Sequence, residues 1–118
     1  MIRLYIVEEH TAVRQALQTR LQSSPTIQVV AATAVFNASL LSSPPDIILL
    51  GLPGNRPNLK EVGQKVRELV GVTAVITLTA YGDDVEREVV LNAGASQYLI
   101  KNIDTPHLIA AIESVANP

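Results

Sequence analysis

Five short apolar runs alternate with longer stretches whose apolar residues recur at helical spacing. This alternation constrains the fold more than any other feature of the chain. The runs are residues 2–7 (IRLYIV), 27–32 (IQVVAA), 46–50 (DIILL), 73–79 (TAVITLT) and 97–100 (QYLI). They are β-branched or leucine-rich and bounded by turn residues, as strands buried on both faces should be. Residues 11–22 place Val13, Ala16, Leu17 and Leu21 on one helical face, and residues 59–70 do the same with Leu59, Val62, Val66 and Leu69. Residues 83–93 carry Val85, Val89, Val90 and Ala93, with Gly94 as the stop. A last helix opens at DTPHL, where Asp104 suits the cap and Pro106 the first turn, and continues through Leu108, Ile109, Ala111, Ile112 and Val115. Between the second and third runs, TAVFNASLLSSPP leaves room for about two helical turns before Pro44-Pro45.

Five strands alternating with five helices predict an α/β fold, a doubly wound three-layer (βα)5 unit around a parallel sheet with right-handed crossovers. The 118 residues fit one domain, residues 1–118, and no linker interrupts them. Aromatic residues are few (Tyr5, Phe36, Tyr81, Tyr98), so the core must be built mainly from Val, Ile, Leu and Ala. The absence of cysteine removes disulfides, thiolate zinc sites and cysteine nucleophiles together. The opening MIRLYIVEEH does not read as a signal peptide, and no apolar stretch reaches membrane-spanning length, so a cytoplasmic protein is expected. Net charge is −2 with no basic run, which argues against nucleic acid binding by this chain alone.

Open parallel sheets bind ligands beyond the C-terminal ends of their strands, where the strand order reverses. That rule selects the loops after Val7, Leu50 and Thr79. After Val7 come Glu8, Glu9 and His10: two carboxylates suit a divalent cation or an acidic base, although spacing alone favours plain acids near a helix N-terminus. After Leu50 comes Gly51-Leu52-Pro53-Gly54-Asn55, which reads as a flexible turn. Thr79-Ala80-Tyr81 offers a hydroxyl to an anion or to backbone, and Lys101 ends the fifth run as a lone cation. A flavodoxin-type phosphate site needs a hydroxyl- and glycine-rich first loop, whereas VEEHTAVR puts two negative charges there. His10 and His107 are far apart in sequence and suggest no Ser-His-Asp arrangement, so no enzymatic activity is expected.

Taken together, Glu8-Glu9, PDIILL, VITLTA and GASQYLIK resemble a response-regulator receiver domain, in the flavour carried by helix-turn-helix transcriptional regulators. The resemblance covers essentially the whole chain and implies the CheY-like strand order 2-1-3-4-5. In that family two acids after the first strand hold Mg²⁺, and an aspartate ending the third strand accepts phosphate from a histidine kinase. A Thr or Ser ends the fourth strand, a Lys ends the fifth, and an aromatic three residues before that Lys reports the switch. Glu8 and Glu9 match the acidic pair, Thr79 the hydroxyl, Lys101 the lysine and Tyr98 the aromatic.

The phosphoacceptor position falls on Gly51. The following Pro53-Gly54 stand two positions earlier than the family's usual Asp-Leu-x-Met-Pro-Gly, and Glu-Glu replaces the commoner Asp-Asp or Glu-Asp. Phosphoryl transfer needs a carboxylate nucleophile, a metal and groups to receive the phosphoryl oxygens. Gly51 supplies no nucleophile and removes one metal ligand, so Mg²⁺ binding should be weak or absent and no cofactor is expected. Asn55 and Asn58 lack acidity, Asp46 stands at the other end of its strand, Asp83 and Asp84 read as helix caps, and Thr79 has no base arranged to activate it. A pseudo-receiver acting by dimerisation or protein–protein contact is therefore expected, through a face of the last two helices. The alternative is a receiver switched by another signal: a small ligand or metal near Glu8 and Glu9, or phosphorylation at a non-standard residue. The space left by the missing aspartate lies near Lys101 in the family's geometry, so Glu8 or Glu9 is expected to reach across and pair with that ammonium. Receivers of this kind usually continue into a DNA-binding domain; the chain reads as a stand-alone module or as the N-terminal part of a longer regulator.

Overall fold

The computed structural model describes residues 1–54 and 58–118, so Asn55 lies outside the described residues. The strands are β1 (Ile2–Val7), β2 (Ile27–Thr33), β3 (Ile47–Gly51), β4 (Ala74–Thr79) and β5 (Gln97–Ile100), and the helices are α1 (Thr11–Gln22), α2 (Leu59–Val70), α3 (Asp84–Asn92) and α4 (Thr105–Ala116). All strand pairs are parallel and the order is β2-β1-β3-β4-β5. The order reverses between β1 and β3, which places the ends of these two strands side by side: Val7 pairs with Leu50.

The two faces of the sheet build two cores. Leu4, Ile6, Ile47, Leu49, Ile76 and Leu78 point to one, beneath Leu17 and Leu21 of α1 and Leu108 and Ile112 of α4. Tyr5, Val7, Ile48, Leu50 and Val75 point to the other, beneath Val62, Val66 and Leu69 of α2 and Val90 of α3. Because the central strands are covered on both sides, their sequences are continuously apolar rather than alternating.

Local chemistry fixes the helix ends. Asn58 accepts from the N–H groups of Lys60 and Glu61, Asp83 from Val85, and Asp104 from His107, each satisfying a donor that the first turn leaves unpaired. Gly94 follows α3 with φ of 110°, a left-handed stop that a side chain would resist.

Three expectations need correction. The connection from β2 to β3 holds only a 3-10 turn at Ala38–Leu40, so the described residues form four α-helices rather than five. Asn37 accepts from the Ser39 N–H and hydroxyl, offering the backbone a tight turn instead of a helix, and Pro44-Pro45 leaves no length to recover one. On α1 the inward stripe is Val13, Leu17 and Leu21, spaced by four, and Ala16 is exposed. On α3 the inward residues are Glu86 and Val90, continued by Ala93 at its C-cap, which turns Val85 outward at 57% exposure.

Candidate functional site

At the C-terminal end of the sheet the parallel strands deliver Glu8, Gly51, Thr79 and Lys101 to one place. Glu8 follows the last residue of β1, and its N–H still bonds to the Thr33 carbonyl at 3.0 Å, which carries the extended backbone one residue further. Its side chain therefore enters the fold and is 2% exposed, while Glu9 turns out to solvent. One Glu8 oxygen, Oε2, accepts from the His10 N–H at 2.9 Å. The other, Oε1, lies 2.7 Å from Lys101 Nζ. That contact is an ion pair rather than an aligned hydrogen bond, and Oε1 has no hydrogen-bond partner among the described residues.

Gly51 makes room for this pair. Its backbone is ordinary strand, so φ does not demand glycine here. A β-carbon at position 51 would instead overlap Glu8 Oε1. The Glu8 carboxylate thus occupies the space into which a side chain at residue 51 would begin. Lys101 is drawn over the same space: its backbone N–H bonds to Thr79 O at 2.7 Å, and its ammonium also donates to the Leu52 carbonyl at 3.2 Å. Arg14 of α1 holds the near side by donating to the carbonyl of Glu8 at 2.8 Å. Its charge thereby sits beside the acidic pair.

A second cluster lies beside the first. The Tyr98 hydroxyl donates to Glu86 Oε1 at 2.6 Å and accepts from the Asp83 N–H at 3.2 Å. Burial, and then the hydrogen bond to Glu86, push the Tyr98 hydroxyl above its ordinary pKa. Thr79 is buried at the end of β4 and donates its hydroxyl to the Tyr81 carbonyl at 3.1 Å. Glu86 is 4% exposed and was missed by sequence reasoning, because an acid in the first turn of a helix reads as a surface residue favoured by the dipole. The signal that could have found it is its spacing with Val90 and Ala93, four and three residues apart on the buried stripe.

Among the described residues, no group of three or more His, Cys, Asp or Glu side chains is placed to share a metal ion. A small cleft of about 190 Å³ opens beside Glu8, Glu9, His10 and Gly51. Glu9 and His10 are its exposed polar groups, while the Glu8 carboxylate is already engaged by Lys101 and the His10 N–H. A larger hollow of about 610 Å³ lies at the opposite end of the strands, lined by Ile2, Pro25, Asp46 and Glu113 among others, and holds none of these residues.

Comparisons with known proteins agree with this architecture. The chain is 30% identical over 98% of its length to the transcriptional regulatory protein DegU of Brevibacillus brevis, covering 50% of that protein. It is 26% identical, again over 98% of its length, to the transcriptional regulatory protein LiaR of Bacillus subtilis, covering 56% of it. It therefore spans about half the length of these relatives. Among solved structures, a response regulator receiver protein from Burkholderia phymatum superposes with a TM-score of 0.74 at 27% identity, covering 98% of this chain and 95% of that one. The response regulator receiver domain matches residues 4–113, and the chain belongs to that family.

Proposed function

We propose that this chain is an atypical receiver that works without phosphorylation, by contact with a protein partner or a second copy. Receivers are signalling domains rather than enzymes, and this chain is one of them. One observation carries the proposal: the Glu8 carboxylate, paired with Lys101, fills the space where a phosphoacceptor side chain at residue 51 would start. The nucleophile is absent. The lysine that would meet phosphoryl oxygens is neutralised from within, and the first acid of the metal pair is spent on that lysine. Mg²⁺ binding at Glu8 and Glu9 is expected to be weak or absent on the same grounds. Thr79 offers no substitute acceptor, since its hydroxyl donates to the Tyr81 carbonyl and, among the described residues, makes no hydrogen bond to a carboxylate.

In this reading the Glu8–Lys101 pair holds the end of β5, and the Glu86–Tyr98 bond holds the aromatic, in one arrangement without phosphate. The face presented to a partner is that of the last two helices, bordered by exposed Val85 on α3, Tyr81 before it and Ile100 at the end of β5. The relatives' names describe transcriptional regulatory proteins. In a longer regulator the output would be a DNA-binding domain reading that fixed state in the cytoplasm. For this chain, no helix among the described residues is long and apolar enough to cross a membrane. A second reading, a receiver switched by a small ligand or a metal, is favoured by the cleft beside Glu9 and His10 and requires such a ligand to separate Glu8 from Lys101.

The test is intact mass after incubation with Mg²⁺ and acetyl phosphate, run on wild type and on Gly51→Asp. Wild type should gain no phosphoryl mass. Label on Gly51→Asp alone would add that the remaining groups still receive phosphate once Glu8 is displaced. Label on wild type would overturn the proposal.

A further inference from the structure

From Leu21 through Pro45 the chain contains no Asp, Glu, Lys, Arg or His, although its 118 residues include 9 Lys and Arg and 11 Asp and Glu. The structure puts this neutral stretch on one border of the molecule. It contains β2, the edge strand beside β1, and the connection to β3 that lacks a helix. After Ile27 no residue of β2 is fully buried, and Gln28 is exposed. Beyond the strand, the large apolar side chains of Val35 and Leu40 are 67% and 56% exposed.

Edge strands normally carry charge, proline or a cover that prevents pairing with another chain. Of these protections β2 has only an irregularity, a shift in its pairing with β1 that leaves Val30 out of register. Two flanking charges, Arg3 and Asp46, are occupied at the foot of the strands. The Arg3 guanidinium donates to the Ser43 and Pro44 carbonyls at 3.2 and 2.7 Å, and Asp46 accepts the Arg3 N–H at 2.8 Å. A helical crossover would have presented a polar outer face here. The turn that replaces it presents Val35 and Leu40.

We propose that this border is where a second copy of the chain docks, edge to edge along β2. The argument for a second copy is electrostatic. Across a two-fold axis every charge near the axis meets its own like-signed copy, so a self-complementary contact is favoured where a surface carries no charge at all. No other stretch of this chain satisfies that condition over comparable length. Seven strand residues give about 23 Å of backbone for antiparallel pairing with the partner strand. Val35 and Leu40 of the two copies would close over the ends. Because β2 and β5 are opposite edges of the sheet, this contact leaves the exposed Tyr81, Val85 and Ile100 free for a different protein.

The experiment is sedimentation velocity on the full chain from about 1 to about 500 μM. Wild type should sediment as a concentration-dependent dimer. Two independent variants place charge on exposed positions, where folding is little affected: the double substitution Val35→Glu/Leu40→Glu, and Gln28→Lys. Each should weaken association at least tenfold with the melting temperature unchanged, the consequence of about 1.4 kcal/mol or more of like-charge repulsion. Val85→Glu, on the opposite edge, should leave the dimer intact. A wild type that is monomeric throughout, a dimer that survives both β2-border variants, or a dimer lost in Val85→Glu would each overturn the proposal. None of these outcomes bears on phosphate acceptance, so this contact and the silent site stand or fall separately.

Discussion

Two buried carboxylates stand at the same end of the sheet, and they are compensated in different ways. Glu8 is held by a cation from β5 and a backbone N–H, in a space that exists because residue 51 is glycine. Glu86 is held by a neutral hydroxyl, that of Tyr98. Burying a carboxylate without a partner is costly in either case. The first solution ties together three strand ends, β1, β3 and β5, and depends on the charge of both partners. The second ties α3 to β5 and depends on a single proton remaining on a phenol. The comparison teaches that the corner beside Gly51 is more tightly cross-linked than the corner beside Tyr98. Beside Gly51 a charge pair, rather than a void, fills the space.

The two contacts should therefore fail differently. The largest effect is expected from Lys101→Ala. It leaves Glu8, 2% exposed, facing an empty space with its charge uncompensated. Breaking a buried pair from one side costs about 3 kcal/mol. For a domain of this size that lowers the melting temperature on the order of 10 °C. A scan in which Lys101→Ala melts with wild type would remove the pair from the account.

Tyr98→Phe should cost less, about 1 to 2 kcal/mol, the penalty for leaving the Glu86 carboxylate without its donor. It also has a pH signature. The Tyr98 pKa is raised in the folded state, first by burial and then by Glu86. Its contribution is therefore complete below the unfolded value of 10.0 and is lost as pH rises through the higher folded value. Denaturation followed from pH 8 to pH 11 should show wild type losing stability at the alkaline end, with Tyr98→Phe converging on it. Parallel curves would mean that the phenol and Glu86 are not coupled.

The smallest effect should come from the cap of α4. The Asp104 carboxyl is lowered from 3.8, chiefly by the His107 N–H and then by the His107 ring. A depressed pKa gives a contribution present above the unfolded value and lost as pH falls through the folded one. Asp104→Ala should thus melt slightly below wild type at neutral pH and level with it in strong acid. A difference that persists unchanged at pH 2 would show that the cap acts other than through its charge.

These contrasts also mark what the sequence makes legible. The strands are readable because burial on both faces leaves Ile, Val and Leu in unbroken runs, and three helix starts are readable because Asn58, Asp83 and Asp104 are side chains that cap. The second crossover is not readable as a helix or a turn from periodicity alone. Asn37 decides it through two short-range hydrogen bonds that no apolar pattern encodes. The candidate site divides in the same way. Gly51 and Lys101 stand out by position, yet Glu8 and Glu9 are chemically identical in the sequence. Only the continuation of β1 backbone bonding through the Glu8 N–H sends the first inward and the second out. Glu86 is hidden by its own charge, since its burial depends on a tyrosine twelve residues away.

The central claim is that Glu8 and Lys101 stabilise each other in the space beside Gly51. A double-mutant cycle tests it most directly, with Glu8→Gln, Lys101→Met and the double variant unfolded in urea at neutral pH. The account expects the double variant to be more stable than the summed single losses imply, by at least about 1.5 kcal/mol, because each single leaves one charge without its partner. Losses that add to within about 0.5 kcal/mol would contradict it, and would mean that the two side chains are neighbours without being partners.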